Sequence, residues 1–260
     1  MVPEKADAKT FWEHIHRYRF AALLVKGRRV LDIACGEGYG AAALLQAGAA
    51  SLTAVDVSAE ACAHAARRYG LKTLVGDARQ IPLADASVDV VVSFETIEHL
   101  PDPGRFLDEC RRVLVPGGTL VVSTPNREVY DKLAPDNPYH VQELDRAEFA
   151  ALLGARFGPV AMYTQCPRTV AWWSPRALAA GQSFWHTRHG LGPVRRLLQK
   201  LFLGHTLAPA ALAAARENPV AAILQNPRPL AHLANPHAIR PEFPAARETP
   251  VYFVAVARRV

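Results

Sequence analysis

The segment Val30–Gly40 (VLDIACGEGYG) constrains this chain more than any other. A short apolar run enters a glycine-rich turn, and an Ala/Leu-rich helix over 39–47 follows. Glycine tolerates positive φ and lets the backbone approach a ligand closely, so this strand–turn–helix unit reads as a ligand-binding βα corner. The pattern then repeats. Leu52–Val55 is a second strand, with Ser58 as N-cap of a helix reaching Tyr69. Leu74–Val75 begins a third strand, and Val88–Phe94 is an unbroken apolar run of the kind covered on both faces of a sheet. Pro103 to Leu114 reads as a helix, Pro116-Gly117-Gly118 as a turn and Thr119–Ser123 as a fifth strand. A first helix over 10–25 is expected, with Thr10 and Glu13 at capping-box spacing. Such alternation predicts a doubly wound α/β fold with a mostly parallel sheet and right-handed crossovers.

Beyond Pro159 the texture changes, and 12 of the 20 prolines lie past Phe157. Val251–Val256 reads as one more strand, so 167–249 is expected to be a mainly helical, Pro-rich insertion before the last strand. The domain reading is an N-terminal helix over 1–27, a core over 28–166 plus 250–260, and this cap insertion. Within it, 193–204 has a basic amphipathic helical pattern. Residues 1–157 carry 18 Lys+Arg against 21 Asp+Glu, whereas 158–260 carry 12 against 3. The basic C-terminal part suits a phosphorylated or carboxylated acceptor, an anionic membrane surface, or simply solvent. Four widely spaced cysteines argue against a disulfide framework or a cysteine zinc site. No apolar leader and no spanning segment is evident, and a reducing, cytoplasmic setting is the expectation.

Asp56 ends the second strand, where a carboxylate can accept both ribose hydroxyls of a nucleoside. Gly36-x-Gly38-x-x-Ala41 also matches a loose dinucleotide fingerprint. Asp32, at the first strand's end, tips the balance. A carboxylate there disfavours a pyrophosphate and suits a ligand carrying an α-amine and a sulfonium. Gly76-Asp77-Ala78 after strand three supplies a second polar corner.

With VLDIACGEGYG (30–40), AVDVS (54–58), GDARQIPLADASVDVVVSFETIEHL (76–100), RRVLVPGGTLVVSTPN (111–126) and NPYH (137–140) in this order, the chain resembles the class I S-adenosylmethionine methyltransferases. The likeness lies in the branch that holds ubiquinone-pathway and glycan-cluster enzymes. The resemblance implies a seven-stranded Rossmann-like sheet and S-adenosyl-L-methionine as cofactor. It places Asp32, Ala34, Gly36 and Gly38 at the methionine end. Asp56 would hold the ribose and Val57 would flank the adenine. Asp77 and the Ala78 N–H would meet the adenine edge, and Phe94 would lie near the methionine moiety. Ala34 departs from the glycine many relatives carry.

Glu95-Thr96-Ile97-Glu98-His99 follows strand four, where ligands bind in open α/β sheets. As one helical turn it would place Glu95, Glu98 and His99 on one face. Three readings stand side by side. His99 or His140 is the general base for an acceptor hydroxyl. Alternatively Glu95, Glu98, His99 and His140 hold a divalent metal such as Mg²⁺, a set that looks like the metal site of small-RNA 2′-O- and ubiquinone-pathway methyltransferases. In the third, Glu98 and His99 merely pair with nearby arginines. His14, His16, Arg17 and Tyr18 on the first helix could close over the cofactor, and Trp172 and Trp173 are candidates to stack on a sugar or base.

The expected reaction is O-methylation of a glycan-like or other small hydroxyl acceptor, including a phosphorylated or lipid-linked one. Quinone or natural-product methylation and RNA 2′-O-methylation are the rivals, although the scattered arginines speak against nucleic acid. A cofactor-binding regulatory protein is the non-enzymatic alternative.

Overall fold

The computed structural model describes residues 8–133, 138–165, 209–224 and 251–260. Seven strands form one sheet: β1 (Arg29–Ile33), β2 (Ser51–Asp56), β3 (Lys72–Val75), β4 (Val88–Ser93), β5 (Leu114–Pro125), β6 (Val160–Gln165) and β7 (Tyr252–Arg258). Their order is β3-β2-β1-β4-β5-β7-β6. The first five pair in parallel, and β7 runs antiparallel between β5 and β6. The mostly parallel doubly wound sheet read from the sequence is therefore present. The chain order reverses between β1 and β4, so the crevice beyond their carboxyl ends is the switch point where such sheets bind ligands.

The helices are α1 (Ala8–Ala22), α2 (Tyr39–Gln46), α3 (Ala59–Tyr69), α4 (Pro103–Val113), α5 (Arg127–Leu133), α6 (Arg146–Gly154), α7 (Pro209–Glu217) and α8 (Pro219–Leu224). Val90 and Val92 of β4 point into a core shared with α1, α2 and α8, whereas Val91 points into one shared with α4 and α6. This period of two is why β4 reads as continuously apolar. Full burial of each such side chain contributes roughly 1.5–3 kcal/mol.

The N-cap expected at Ser58 is present, and two further helices carry side-chain caps. Ser58 accepts from Ala61 N–H, and Asp102 accepts from Arg105 N–H with Pro103 following it. Asp145 and Glu148 form a reciprocal capping box. The box expected at Thr10 and Glu13 does not mark a helix start, because α1 is already helical at Ala8. Pro116-Gly117-Gly118 is no separate turn either. It lies inside β5 as an irregularity, where pairing shifts from Val88↔Leu114 to Val90↔Thr119 and Gly117 takes φ 77°.

α7 and α8 lie between β6 and β7, within the segment read as an insertion. Val220 and Ile223 of α8 join the core of α1 and α2, and the Arg19 guanidinium donates to the Ala222 and Ile223 carbonyls. The expected 193–204 helix, Trp172 and Trp173 fall outside the described residues. No described helix is long and apolar enough to cross a membrane. The described cysteines, Cys35, Cys62 and Cys110, are buried free thiols.

Candidate active site

The glycine-rich turn joins β1 to α2 at the switch point. Ala34, Gly36 and Gly38 all take positive φ (59°, 54° and 84°). Only Ala34 carries a Cβ there, where an L side chain is disfavoured by about 1–2 kcal/mol. The turn is tied to β2 through Cys35 N–H on the Val55 carbonyl (3.1 Å) and Gly36 N–H on Asp56 Oδ2 (2.8 Å). Asp56 Oδ1 accepts from Ser58 N–H (2.9 Å). One carboxylate thus organises both corners, and each oxygen keeps a second lone pair. Gly38 caps α2 with no side-chain hydrogen bond, leaving the first-turn N–H groups to meet an anionic group.

Asp32 is fully buried beneath the turn. Its hydrogen-bonding partner is the Tyr18 hydroxyl, which reaches Oδ2 at 3.1 Å and Oδ1 at 3.3 Å. Burial pushes the Asp32 carboxyl up to about 8; the Tyr18 hydrogen bond opposes that shift and the nearby Asp56 charge adds to it. The Tyr18 ring packs edge-on against Phe94 (5.1 Å) and Tyr39 (5.9 Å). Of the first-helix residues expected over the cofactor, Tyr18 is brought onto the predicted ligand carboxylate. Its ring also covers Gly40: a Cβ there would lie 2.0 Å from Tyr18 Cζ. Gly40→Ala is therefore expected to push Tyr18 off Asp32 and cost about 1–3 kcal/mol, visible as a melting temperature lowered by several degrees.

At the far edge of the site, Val57 is 75% exposed, an apolar surface suited to one face of an adenine. Asp77 caps its own turn. It accepts from Arg79 N–H (2.8 Å) and from the Arg79 guanidinium, which holds its carboxyl below the usual range. Ala78 is packed against the sheet. An adenine amino group on Asp77 would have to share that carboxylate with Arg79.

After β4 the chain departs from the expected helical turn. Glu95 adopts φ 53°, and a 3-10 turn covers only Ile97–His99. The Glu95 side chain is bonded to Ser123 and does not join Glu98 and His99 as a converging ligand. Its Oε1 accepts from Ser123 Oγ (3.0 Å), which in turn accepts from Glu95 N–H, and the Arg17 guanidinium stands 3.8 Å away. Arg17 is itself held by Gln165 (2.9 Å) and lies over the Tyr252 ring at 4.3 Å.

Glu98, His99 and His140 do come together, with ligating atoms all within 4.8 Å of one another. The loop after β5 is stapled onto the 3-10 turn, as Val141 and Gln142 N–H both donate to the Glu98 carbonyl and Gln142 Nε2 donates to Leu100. His99 Nδ1 bonds the Tyr139 carbonyl, and His140 Nδ1 bonds Glu143. His140 also stacks on Tyr130 (4.7 Å, 13°). With Nδ1 of each ring engaged, the Nε2 lone pairs are the ones left to act. Glu98 is fully buried, and neither carboxylate oxygen has a hydrogen-bond partner among the described residues. Burial, followed by the Glu95 charge, raises its pKa well above the ordinary value. Among the described residues neither Glu98 nor His99 forms an ion pair with an arginine, and Glu95 is not part of this cluster. Ser123 and Glu143 were not singled out from the sequence, although Ser123 lies within the STPN match and Glu143 three residues beyond His140.

Residues 31–122 match the model of the methyltransferase domain. A probable S-adenosylmethionine-dependent methyltransferase of Mycobacterium tuberculosis is 43% identical over 162 residues, 60% of this chain and 59% of that protein. The ubiquinone biosynthesis O-methyltransferase of Xanthomonas oryzae is 35% identical over 156 residues, 52% of this chain and 64% of that protein. The chain thus spans about three fifths of the length of the curated relatives it matches. Among solved structures, an S-adenosylmethionine-dependent methyltransferase from Mesorhizobium loti shares the fold at a TM-score of 0.53 and 17% identity, over 99% of this chain and all of that one. By the matched segment and these relatives, residues 31–122 carry a methyltransferase domain similar in sequence to S-adenosylmethionine-dependent methyltransferases.

Proposed function

We propose that the protein transfers a methyl group from S-adenosylmethionine to a hydroxyl of a glycan-like or other small acceptor. The observation that carries this reading is the pairing of two sites at the carboxyl ends of neighbouring strands. Beyond β1 lie a buried carboxylate and an uncapped glycine turn, and beyond β4 lies the Glu98–His99–His140 cluster. Asp32 would take the α-ammonium, Asp56 the ribose hydroxyls and Val57 one face of the adenine. The cofactor supplies a methyl on a sulfonium, which passes in line to the acceptor oxygen while the S–CH₃ electron pair stays on sulfur. His140 or His99, through Nε2, would take the hydroxyl proton and pass it to solvent.

The same cluster fits a divalent cation. A buried carboxylate with no hydrogen-bond partner among the described residues, and two imidazoles each held through Nδ1, make a coherent donor set. Such a cation, when bound, acidifies a hydroxyl it touches. A quinone-pathway or other phenolic acceptor is the second reading, favoured by the ubiquinone O-methyltransferase relative. The basic composition of 158–260 suits a phosphorylated or lipid-linked acceptor and peripheral contact with an anionic membrane, and the widely spaced cysteines suit a reducing, cytoplasmic setting.

The test is calorimetric titration of the full chain with S-adenosylmethionine, S-adenosylhomocysteine and NADH. Labelled methyl transfer to hydroxylated sugars and catechols follows, with EDTA or Mg²⁺. Micromolar binding of the sulfur ligands with turnover lost in EDTA and restored by Mg²⁺ is the expected result. Turnover that survives EDTA leaves His140 and His99 as bases alone. Cofactor binding with no transfer to any acceptor would favour a regulatory protein, and binding of NADH alone overturns the assignment.

A further inference from the structure

Tyr18 is on none of the motifs that mark the cofactor turn, yet it is the hydrogen-bond partner of a fully buried carboxylate beneath that turn. Asp32 has no solvent exposure, and its two oxygens sit 3.1 and 3.3 Å from one hydroxyl. The groups facing it are Tyr18 from α1, Asp56 from β2, Cys35 from the turn and Tyr39 from α2. Each is neutral or an anion, and among the described residues no basic side chain hydrogen-bonds Asp32. A carboxylate so placed has no countercharge among the described residues, and a ligand could bring one. Its raised pKa agrees with that geometry.

We infer that Tyr18 is a further cofactor-site residue, and that the cofactor's α-ammonium expels the proton that Tyr18 and Asp32 hold between them in the unloaded protein. This rests on the cofactor reading above. The exchange balances: a protonated Asp32 loses H⁺ to solvent, the ammonium arrives with its own charge, and an ion pair replaces a neutral hydrogen-bonded pair. The Tyr18 hydroxyl keeps donating to the carboxylate, which is why its loss should favour the neutral form. Tyr18 is thus a positioning residue, tying α1 to the charge state of the site. Its ring, seated against Gly40, Phe94 and Tyr39, keeps the hydroxyl on Asp32.

The experiment is calorimetric binding of S-adenosylhomocysteine to the wild-type full chain at pH 6.5, in buffers of different ionisation enthalpy. The expected result is release of about one proton per ligand, with affinity falling about tenfold per pH unit from pH 7 to 5.5. Tyr18→Phe, which keeps the ring, is expected to bind roughly tenfold more weakly at pH 6.5 while melting within a few degrees of wild type. Heats that do not depend on buffer overturn the proposal, as does equal affinity of Tyr18→Phe and wild type. If the wild type binds no S-adenosylhomocysteine at any pH, the cofactor reading itself has failed.

Discussion

Replacing Asp56 by alanine is expected to weaken S-adenosylhomocysteine binding by a factor of about 100 or more, the largest loss predicted for any side chain of the cofactor site. Asp56 does two things at once. It holds Gly36 N–H at 2.8 Å and Ser58 N–H at 2.9 Å, so it sets both the glycine turn and the start of α3. It also offers its remaining lone pairs at the point where a ribose would lie. A hydrogen bond to a charged acceptor contributes about 1.5–3 kcal/mol. Two such bonds to the ribose amount to about 3–6 kcal/mol, or at least two decades in affinity. Asp56→Asn, which retains one acceptor oxygen but sets an amide N–H against one of the two backbone donors, should fall between alanine and wild type. Calorimetry measures the affinities, and circular dichroism shows whether the sheet persists. An alanine variant that binds as tightly as wild type would remove Asp56 from the site.

Much of this site was legible because its signals are local. A strand, a glycine turn and a helix follow one another within Val30–Gln46, and no distant contact is needed to place Asp32 under the turn. The same holds for Ser58, where the cap and the N–H it accepts from are three residues apart. The failures are where the backbone leaves the assumed period or the partner is remote. Glu95, Glu98 and His99 share a face only if residues 95–100 are helical. The left-handed φ at Glu95 breaks that spacing and hands its carboxylate to Ser123, 28 residues on. His140 does meet His99, as the metal reading required, but through a contact no spacing rule encodes: the Glu98 carbonyl captures two N–H groups from a loop more than 40 residues away. β7 was expected as a strand, but its antiparallel place between β5 and β6 depends on two long-range ladders. Tyr18 was one of four candidates on α1, and only the fold selects which of them meets Asp32.

The cluster beyond β4 yields a prediction in which function and stability move in opposite directions. Glu98→Gln is expected to cut Mn²⁺ affinity of the metal-free protein tenfold or more, while raising its melting temperature. The first half follows from the donor set. Glu98 is the carboxylate among the three residues whose ligating atoms converge, and a neutral amide is a poor ligand for a hard dication. The second half follows from burial. Both Glu98 oxygens are sealed from solvent with no hydrogen-bond partner among the described residues, and the Glu95 and Glu143 charges nearby oppose a third anion. An unsatisfied buried polar group costs about 1–3 kcal/mol, more when charged, and the near-isosteric amide removes the charge without opening a cavity. Sites kept for ligand binding commonly carry such a cost, so a stabilising substitution that abolishes binding marks one. Glu95→Gln is the control: its carboxylate belongs to Ser123 and Arg17, so Mn²⁺ affinity should stay within about threefold of wild type. Electron paramagnetic resonance of free Mn²⁺ gives the affinities and a thermal melt gives the stability. Loss of Mn²⁺ binding in Glu95→Gln would show that Glu95 swings onto the metal. A destabilised Glu98→Gln would show that the buried carboxylate is already satisfied.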